Sequence, residues 1–280
     1  AVAELVTNFD MTEILGIKGW GKEHVTLSKP VRVRGWPDYW LAGLENSLMQ
    51  SMRTYTLKVL QTAVQDADWL KSIETSEFPR CSLVVAVHAV WTNDVENCLK
   101  SEKPALILKG LLKEINQRIS DMERMLHHAG ERTTISVGSI LGILIYQRSV
   151  TEELVQTSFK DELFESCLRY FWEGEQMIRV QVGNCAERFQ YGNEYVPAAE
   201  RAFLSAAFVK SMSSLAAALQ HGRIPYVYGS VGCGKTETVK ELARTVGRSF
   251  FVLDVPQEGA PEVLLRFVYA AANCGTWTIF

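Results

Sequence analysis

Several features that would assign a function early are missing from this chain of 280 residues. Its six cysteines include no C-x-x-C pair and its five histidines no H-x-x-x-H pair, so neither a disulfide framework nor a zinc site is expected. Scattered cysteines are typical of proteins from a reducing compartment. The formal net charge of -3 gives no sign of the basic patch that nucleic acid requires, so no nucleic-acid partner is expected.

No apolar run is long enough to cross a membrane. The best candidate, Ile135 to Tyr146, is interrupted by serines and glycines, and it is far shorter than the roughly 20 residues a bilayer needs. It predicts a buried helix, and no membrane partner is expected. The first ten residues lack the basic flank of a signal peptide. The chain starts without Met and ends on the apolar run Thr276 to Phe280, so we expect both ends to be cuts through a longer protein.

The first 170 residues show mostly helical periodicity. One short strand is predicted at residues 25–33, with Pro30 placing it at a sheet edge. Asp38 is then in position to cap a long helix. Its apolar stripe repeats at steps of three and four through Leu41, Leu44, Leu48, Met52, Tyr55 and Val59. Further helices are predicted at 82–99, at 104–128, after Thr134 and at 151–172.

The pattern changes after Trp172. Residues 177–182 predict a strand, residues 188–195 are rich in aromatic side chains, and a helix is predicted at 199–219. Strands and helices then alternate: strand 225–228, a glycine loop, helix 236–246, strand 249–255, helix 261–272 and strand 276–280. Such alternation is typical of a parallel, doubly wound sheet. We therefore expect a helical domain at 1–185 and an α/β domain at 186–280.

The glycine loop carries the clearest chemical signal in the sequence. Residues 229–236 satisfy G-x-x-x-x-G-K-[ST], the phosphate-binding loop also called Walker A. Glycines allow the backbone to turn its N–H groups towards an anion, and the following helix adds its N-terminal dipole. Lys235 would reach the β and γ phosphates, and the Thr236 hydroxyl would bind Mg²⁺. The alternative is a chance match in a glycine-rich turn, which the predicted flanking strand and helix disfavour.

The nucleotide-binding set predicted from the loop comprises Gly229, Ser230, Val231, Gly232, Cys233, Gly234, Lys235, Thr236 and Glu237. Hydrolysis needs more, namely an acidic residue at the end of a neighbouring strand. Asp254 is one candidate, but Val255 and not a second acid follows it. The end of the final strand is the better place for the catalytic acids, and no catalytic residue is therefore predicted within the 280 residues.

An ordered set of blocks resembles the dynein heavy chains. Residues 229–238 are similar to that family's G-P-A-G-T-G-K-T-E-T. The other similar blocks, in order, are Trp40-Leu41 with Leu44-Glu45 and Met49, then 84–96, 168–172, 189–195 and 275–280. The resemblance covers nearly the whole chain. It implies a mostly α linker followed by a truncated α/β P-loop (AAA+) parallel-sheet domain.

The resemblance also implies a function. The parent would be a microtubule motor that binds ATP or ADP with Mg²⁺, and the helices at 38–170 would form its lever arm. Expected partners are the remaining AAA+ modules, microtubules and dynein light or intermediate chains. The expected location is the cytoplasmic cytoskeleton, in particular a cilium or flagellum axoneme. In the family, D-E-F-N-R follows the last block, so this chain alone is not expected to hydrolyse ATP efficiently.

Departures from the family pattern leave alternatives open. Ser230, Val231 and Cys233 replace Pro, Ala and Thr, and 205–209 lacks the Pro and Asp of the family's T-P-L-T-D segment. The chain is therefore identified as a divergent member, such as a dynein heavy chain domain-containing protein. A degenerate AAA+ scaffold of the axoneme is one alternative, and a small-molecule P-loop kinase is a weaker one. Trp91 and Trp172 could serve either linker–ring contacts or core packing, and packing is favoured because tryptophans are highly buried on average.

Overall fold

The structure, a computed structural model, describes residues 2–19, 23–66, 69–72, 78–128, 131–174, 177–196, 201–253 and 261–279. The described part opens with an antiparallel sheet in the order β1-β2-β3. These strands are Val2–Thr7, Glu13–Gly19 and His24–Arg32. Only β3 was predicted from the sequence, and it is an edge strand, as Pro30 requires.

Long helices dominate the following hundred residues. They are α1 (Pro37–Gln65), a short 3₁₀ turn (Trp69–Ser72), α2 (Arg80–Leu99), α3 (Pro104–His128), α4 (Glu131–Gln156) and α5 (Lys160–Glu165). The predicted helices at 82–99 and 104–128 are confirmed, and 135–146 lies inside α4. No helix among the described residues is long and apolar enough to span a bilayer.

Smaller elements make up the rest. An antiparallel sheet contains β4 (Leu168–Glu173), β5 (Met177–Val182) and β6 (Phe189–Gln190). It is followed by α6 (Ala206–Gln220), α7 (Lys235–Thr245), β7 (Phe250–Val252), α8 (Pro261–Cys274) and β8 (Trp277–Ile279). Strands β7 and β8 pair in parallel, which confirms the predicted parallel arrangement at this point.

The main hydrophobic core runs through both parts of the chain. It begins at Val59 in α1, includes most of the inward face of α2, and continues through β4 and β5 to Leu242 and Val246 at α7. A second, smaller cluster joins the first sheet to α1 and to Tyr195. The helical residues and the helix that follows the glycine loop therefore contribute to one continuous core.

Four predictions about secondary structure are wrong or shifted. Residues 168–172 form strand β4 and not helix, because Leu168 and Tyr170 alternate with more exposed neighbours and pair with β5. Residues 225–228 form no strand and join no sheet among the described residues, and Tyr226 and Tyr228 are almost fully exposed. Asp38 does not cap α1, because Pro37 is already the first helical residue and Trp36 holds the cap position.

The fourth difference concerns α6, which starts at Ala206 and not at 199. Residues 201–205 are not helical, and the Ser205 hydroxyl accepts a hydrogen bond from the Phe208 N–H as the cap of α6. The first predicted helical residues, 199 and 200, lie outside the described residues.

His88 is a buried group with a measurable consequence for stability. Its ring is fully buried and stacks on Tyr170 at 4.8 Å, and its two nitrogens have no hydrogen-bond partner among the described residues. Burial, assisted by the charge of Arg201, lowers the pKa of His88 from 6.5 to about 3. Between pH 6.5 and about 3, His88 is therefore protonated in the unfolded chain and neutral in the folded chain. The free energy of unfolding consequently falls as the pH drops below 6.5.

We expect this histidine alone to remove about 2 kcal/mol of unfolding free energy between pH 7 and pH 5, at 1.36 kcal/mol per pH unit below 6.5. His88→Phe keeps a ring against Tyr170 and should flatten that part of the pH profile. Urea denaturation at both pH values measures the difference. An unchanged pH dependence in His88→Phe would show that the buried ring does not control it.

Candidate functional site

The predicted phosphate loop directly precedes the N-terminus of α7. Gly234 occupies the cap position with a φ of 83°, and Gly232 has a φ of 80°, both left-handed conformations that favour glycine. No side chain caps this helix terminus. The first N–H groups of α7 are therefore open to an anion, which the helix dipole also attracts.

The Lys235 ammonium lies inside the loop. Its Nζ donates hydrogen bonds to the carbonyl oxygens of Gly229 at 2.9 Å and Ser230 at 2.6 Å. The Cys233 sulfur is 3.8 Å from the same nitrogen. A Cβ at Gly229 would lie 2.9 Å from that sulfur, so a side chain there would displace the exposed Cys233 thiol. The loop thus holds a cation at its centre, where a phosphate oxygen could replace the carbonyls as its partner.

The remaining predicted residues differ in their surroundings. Ser230, Val231, Cys233 and Thr236 are exposed, and Val231 has no cover at all. Thr236, the second residue of α7, is accessible at the helix terminus, as a hydroxyl ligand of a nucleotide-bound Mg²⁺ must be. The Glu237 carboxylate instead accepts a hydrogen bond from Lys240 at 2.7 Å, one turn along the helix surface. No group of three metal-binding side chains occurs among the described residues, so a metal here needs ligands from phosphate and water.

A buried ion pair holds the middle of α7. Glu241 is fully buried, and its Oε1 accepts from Arg201 Nε at 2.8 Å and from the Nη2 of the same guanidinium. Arg244 Nη1 lies 3.3 Å from the second oxygen, Oε2. Burial alone would lower the pKa of the Arg201 guanidinium, but the Glu241 carboxylate raises it above its usual value. The Arg201 guanidinium is therefore charged, and sequence reasoning did not identify either partner.

The C-terminal end of α7 is bonded to the sheet β4-β5-β6. The Tyr170 hydroxyl donates to the Thr245 carbonyl at 2.8 Å, and the Gly192 N–H donates to the Val246 carbonyl at 2.9 Å. The Tyr191 ring covers Gly247 so closely that a Cβ there would lie 2.6 Å from it. Helix α7 is thus fixed at its middle and at its end, and its free N-terminus presents Lys235 and Thr236.

The two positions considered for the catalytic acids lie outside the described residues. They are Asp254, which follows β7, and the end of the final predicted strand at Phe280. The parallel pairing of β7 with β8 does direct the carboxyl ends of both strands to one edge of the sheet.

Comparison with known proteins agrees with this site. Residues 191–280 match the family model described as the hydrolytic ATP binding site of the dynein motor region. Over 95% of its length the chain is 26% identical to dynein axonemal heavy chain 5 of Rattus norvegicus, covering 8% of that protein. It is 24% identical over its full length to dynein axonemal heavy chain 12 of Mus musculus, covering 9%.

A non-axonemal relative matches as well. The chain is 21% identical, over 97% of its length, to the cytoplasmic dynein heavy chain of Eremothecium gossypii, of which it covers 7%. The chain therefore spans less than a tenth of the length of these relatives. The matches extend from the first sheet to β8, in agreement with the ordered blocks found in the sequence. Over nearly its whole length the chain is thus similar to dynein heavy chains, and residues 191–280 match the model of the ATP-binding site of the dynein motor region.

Proposed function

We propose that the chain binds ATP or ADP, with Mg²⁺, at the loop from Gly229 to Thr236. The observation that carries this proposal is the Lys235 ammonium, held by loop carbonyls at the uncapped N-terminus of α7. A triphosphate entering the loop would receive the ammonium and the N–H groups, and the Thr236 hydroxyl would bind the metal. Magnesium supplies charge neutralisation between the β and γ phosphates when it is bound.

We further propose that residues 1–185 act as a linker and that the nucleotide state at the loop influences it. The boundary near residue 185, and the assignment of the rest to an AAA+ module, stay predictions. Support comes from the continuous core, which includes residues of α2, β4 and α7, and from the hydrogen bond that the Tyr170 hydroxyl of β4 donates to the Thr245 carbonyl of α7. A rearrangement of α7 cannot leave these neighbours unaffected, because packed interiors transmit strain.

For the parent protein we propose a microtubule motor of the cytoskeleton, working with further AAA+ modules and with light or intermediate chains. The axonemal names of several relatives favour a cilium or flagellum. The whole-protein activity rests on those relatives and not on the described residues.

A second function, a scaffold with little hydrolysis, is favoured by the altered loop. Val231 and Cys233 are exposed where the family has alanine and threonine, and segment 205–209 lacks its usual Pro and Asp. Such changes would leave phosphate binding intact while weakening turnover. We expect the 280-residue chain alone to hydrolyse ATP inefficiently under either function.

Calorimetric titration of ATP into the full chain, with and without Mg²⁺, tests the proposed function. We expect saturable binding of one nucleotide that is tighter with Mg²⁺. Thr236→Ala should lose most of that metal dependence while retaining metal-free affinity, because only the hydroxyl ligand is removed. Thr238→Ala is the matched control, since the Thr238 hydroxyl donates to the Gly234 carbonyl inside the helix and faces no metal. Absence of binding by the unaltered chain would refute the proposal.

A further inference from the structure

The helix that presents Lys235 and Thr236 carries a buried acid that no phosphate-loop motif requires. Glu241 lies six residues after Lys235, about 9 Å further along the helix axis. It is too far from the loop to contact a nucleotide phosphate, and it is completely buried. A buried carboxylate is destabilising unless it is paired, so Glu241 needs a cationic partner.

Arg201, which precedes α6, is the partner of this carboxylate. Its guanidinium Nε and Nη2 both donate hydrogen bonds to Glu241 Oε1. Only a guanidinium presents two donors in one fixed plane. The rotation and depth of α7 are therefore set by a group that belongs to a different segment of the chain.

Tyr170 links this ion pair to the helical part of the protein. The Tyr170 ring stacks on His88 of α2 with ring centroids 4.8 Å apart, and the charge of Arg201 helps to lower the pKa of that histidine. Tyr170 also contacts α7 directly, through its hydroxyl and the Thr245 carbonyl. On its other side the Tyr170 N–H donates to the Thr92 hydroxyl of α2 at 3.1 Å.

We propose that Arg201 and Tyr170 are positioning residues for the nucleotide site, which hold α7 so that Lys235 and Thr236 face the phosphates. They do so by connecting α7 to His88 and Thr92 of α2. This inference rests on the proposed nucleotide binding and extends it, since it names the residues through which the helical part sets the affinity of the loop. None of the residues in this connection contacts nucleotide.

The test compares affinity with stability in three variants of the full chain. Arg201→Lys keeps the positive charge but removes the planar pair of donors, and Tyr170→Phe removes only one hydroxyl. Thr56→Val is the matched control, because it removes a buried hydrogen bond of 2.9 Å to Ser82 between α1 and α2, away from α7. Dissociation constants for Mg-ATP are measured by calorimetry at a temperature where thermal denaturation shows every variant to be folded.

We expect Arg201→Lys and Tyr170→Phe to bind Mg-ATP about 5-fold or more weakly, the low end of typical coupling between sites. Thr56→Val should melt earlier but keep the wild-type dissociation constant. In the unaltered chain, Mg-ATP should also slow hydrogen exchange at the Tyr170 amide, and Arg201→Lys should reduce this effect. A residue that only stabilises the fold would change the melting temperature and neither of these readouts.

Two different results would overturn the inference. If Lys235→Ala loses affinity while Arg201→Lys and Tyr170→Phe keep it, the loop binds nucleotide but these residues do not position it. If the unaltered chain binds no Mg-ATP, the proposed function fails and the inference fails with it.

Discussion

Replacing Lys235 with alanine should weaken Mg-ATP binding roughly 10- to 150-fold, because a charge-assisted hydrogen bond contributes about 1.5–3 kcal/mol. The expected loss is large because the ammonium already lies in the loop, so little rearrangement is needed when phosphate binds. Calorimetry with Mg²⁺ present gives both dissociation constants directly.

Lys240→Ala is the matched control for this experiment. Lys240 lies on the same helix and pairs with Glu237 on its surface, so its removal changes the net charge equally without emptying the loop. Lys240→Ala should change the dissociation constant for Mg-ATP by no more than a few fold, because a surface charge is screened by solvent and salt. Equal losses in the two variants would mean that Lys235 acts only through general electrostatic attraction.

Trp91→Ala should destabilise the chain by about 3–5 kcal/mol, the usual range for a large aromatic side chain removed from a core. Trp91 is 1% exposed, and its indole N–H donates to the Thr151 hydroxyl at 3.2 Å. Its ring packs edge-on against Phe164, with ring centroids 5.8 Å apart. Truncation therefore leaves a cavity between α2, α4 and α5 and removes one of the two hydrogen bonds of the buried Thr151 hydroxyl.

Trp172→Ala provides the comparison, since this tryptophan in β4 remains 36% exposed. Its loss should lower the unfolding free energy by well under half as much, because surface substitutions away from special features change stability by about 0.5 kcal/mol. Urea denaturation of both variants measures the two values. Similar losses would show that the core at Trp91 collapses around the smaller side chain. The burial of Trp91 agrees with the core-packing interpretation of this residue.

The long helices could be predicted from sequence because their apolar residues repeat over many turns. Helix α3 is the clearest case, since Pro104 marks its start and its stripe buries Leu108, Ile115 and Met122. The first sheet was largely missed because β1 is exposed along most of its length and shows no regular alternation of burial. Strand β4 was missed because a stretch of six residues with three consecutive aromatic side chains does not by itself distinguish strand from helix.

At the site, the loop was predictable because its spacing is a local property of eight residues. The support for α7 was not predictable, because Arg201 and Glu241 are forty residues apart and pair only in the folded chain. One signal was present in the sequence. Glu241 interrupts the face of α7 formed by Thr238, Leu242 and Thr245, all buried, and a charge on a buried face requires a partner.

The most direct test of nucleotide binding at this loop is hydrogen exchange of the chain with and without Mg-ATP, followed amide by amide through residues 229–238. We expect nucleotide to slow exchange most strongly at the amides between Val231 and Glu237, and Lys235→Ala to abolish this protection at the same nucleotide concentration. Unchanged exchange through these residues, under conditions where calorimetry shows bound ATP, would place the nucleotide elsewhere and contradict binding at this loop.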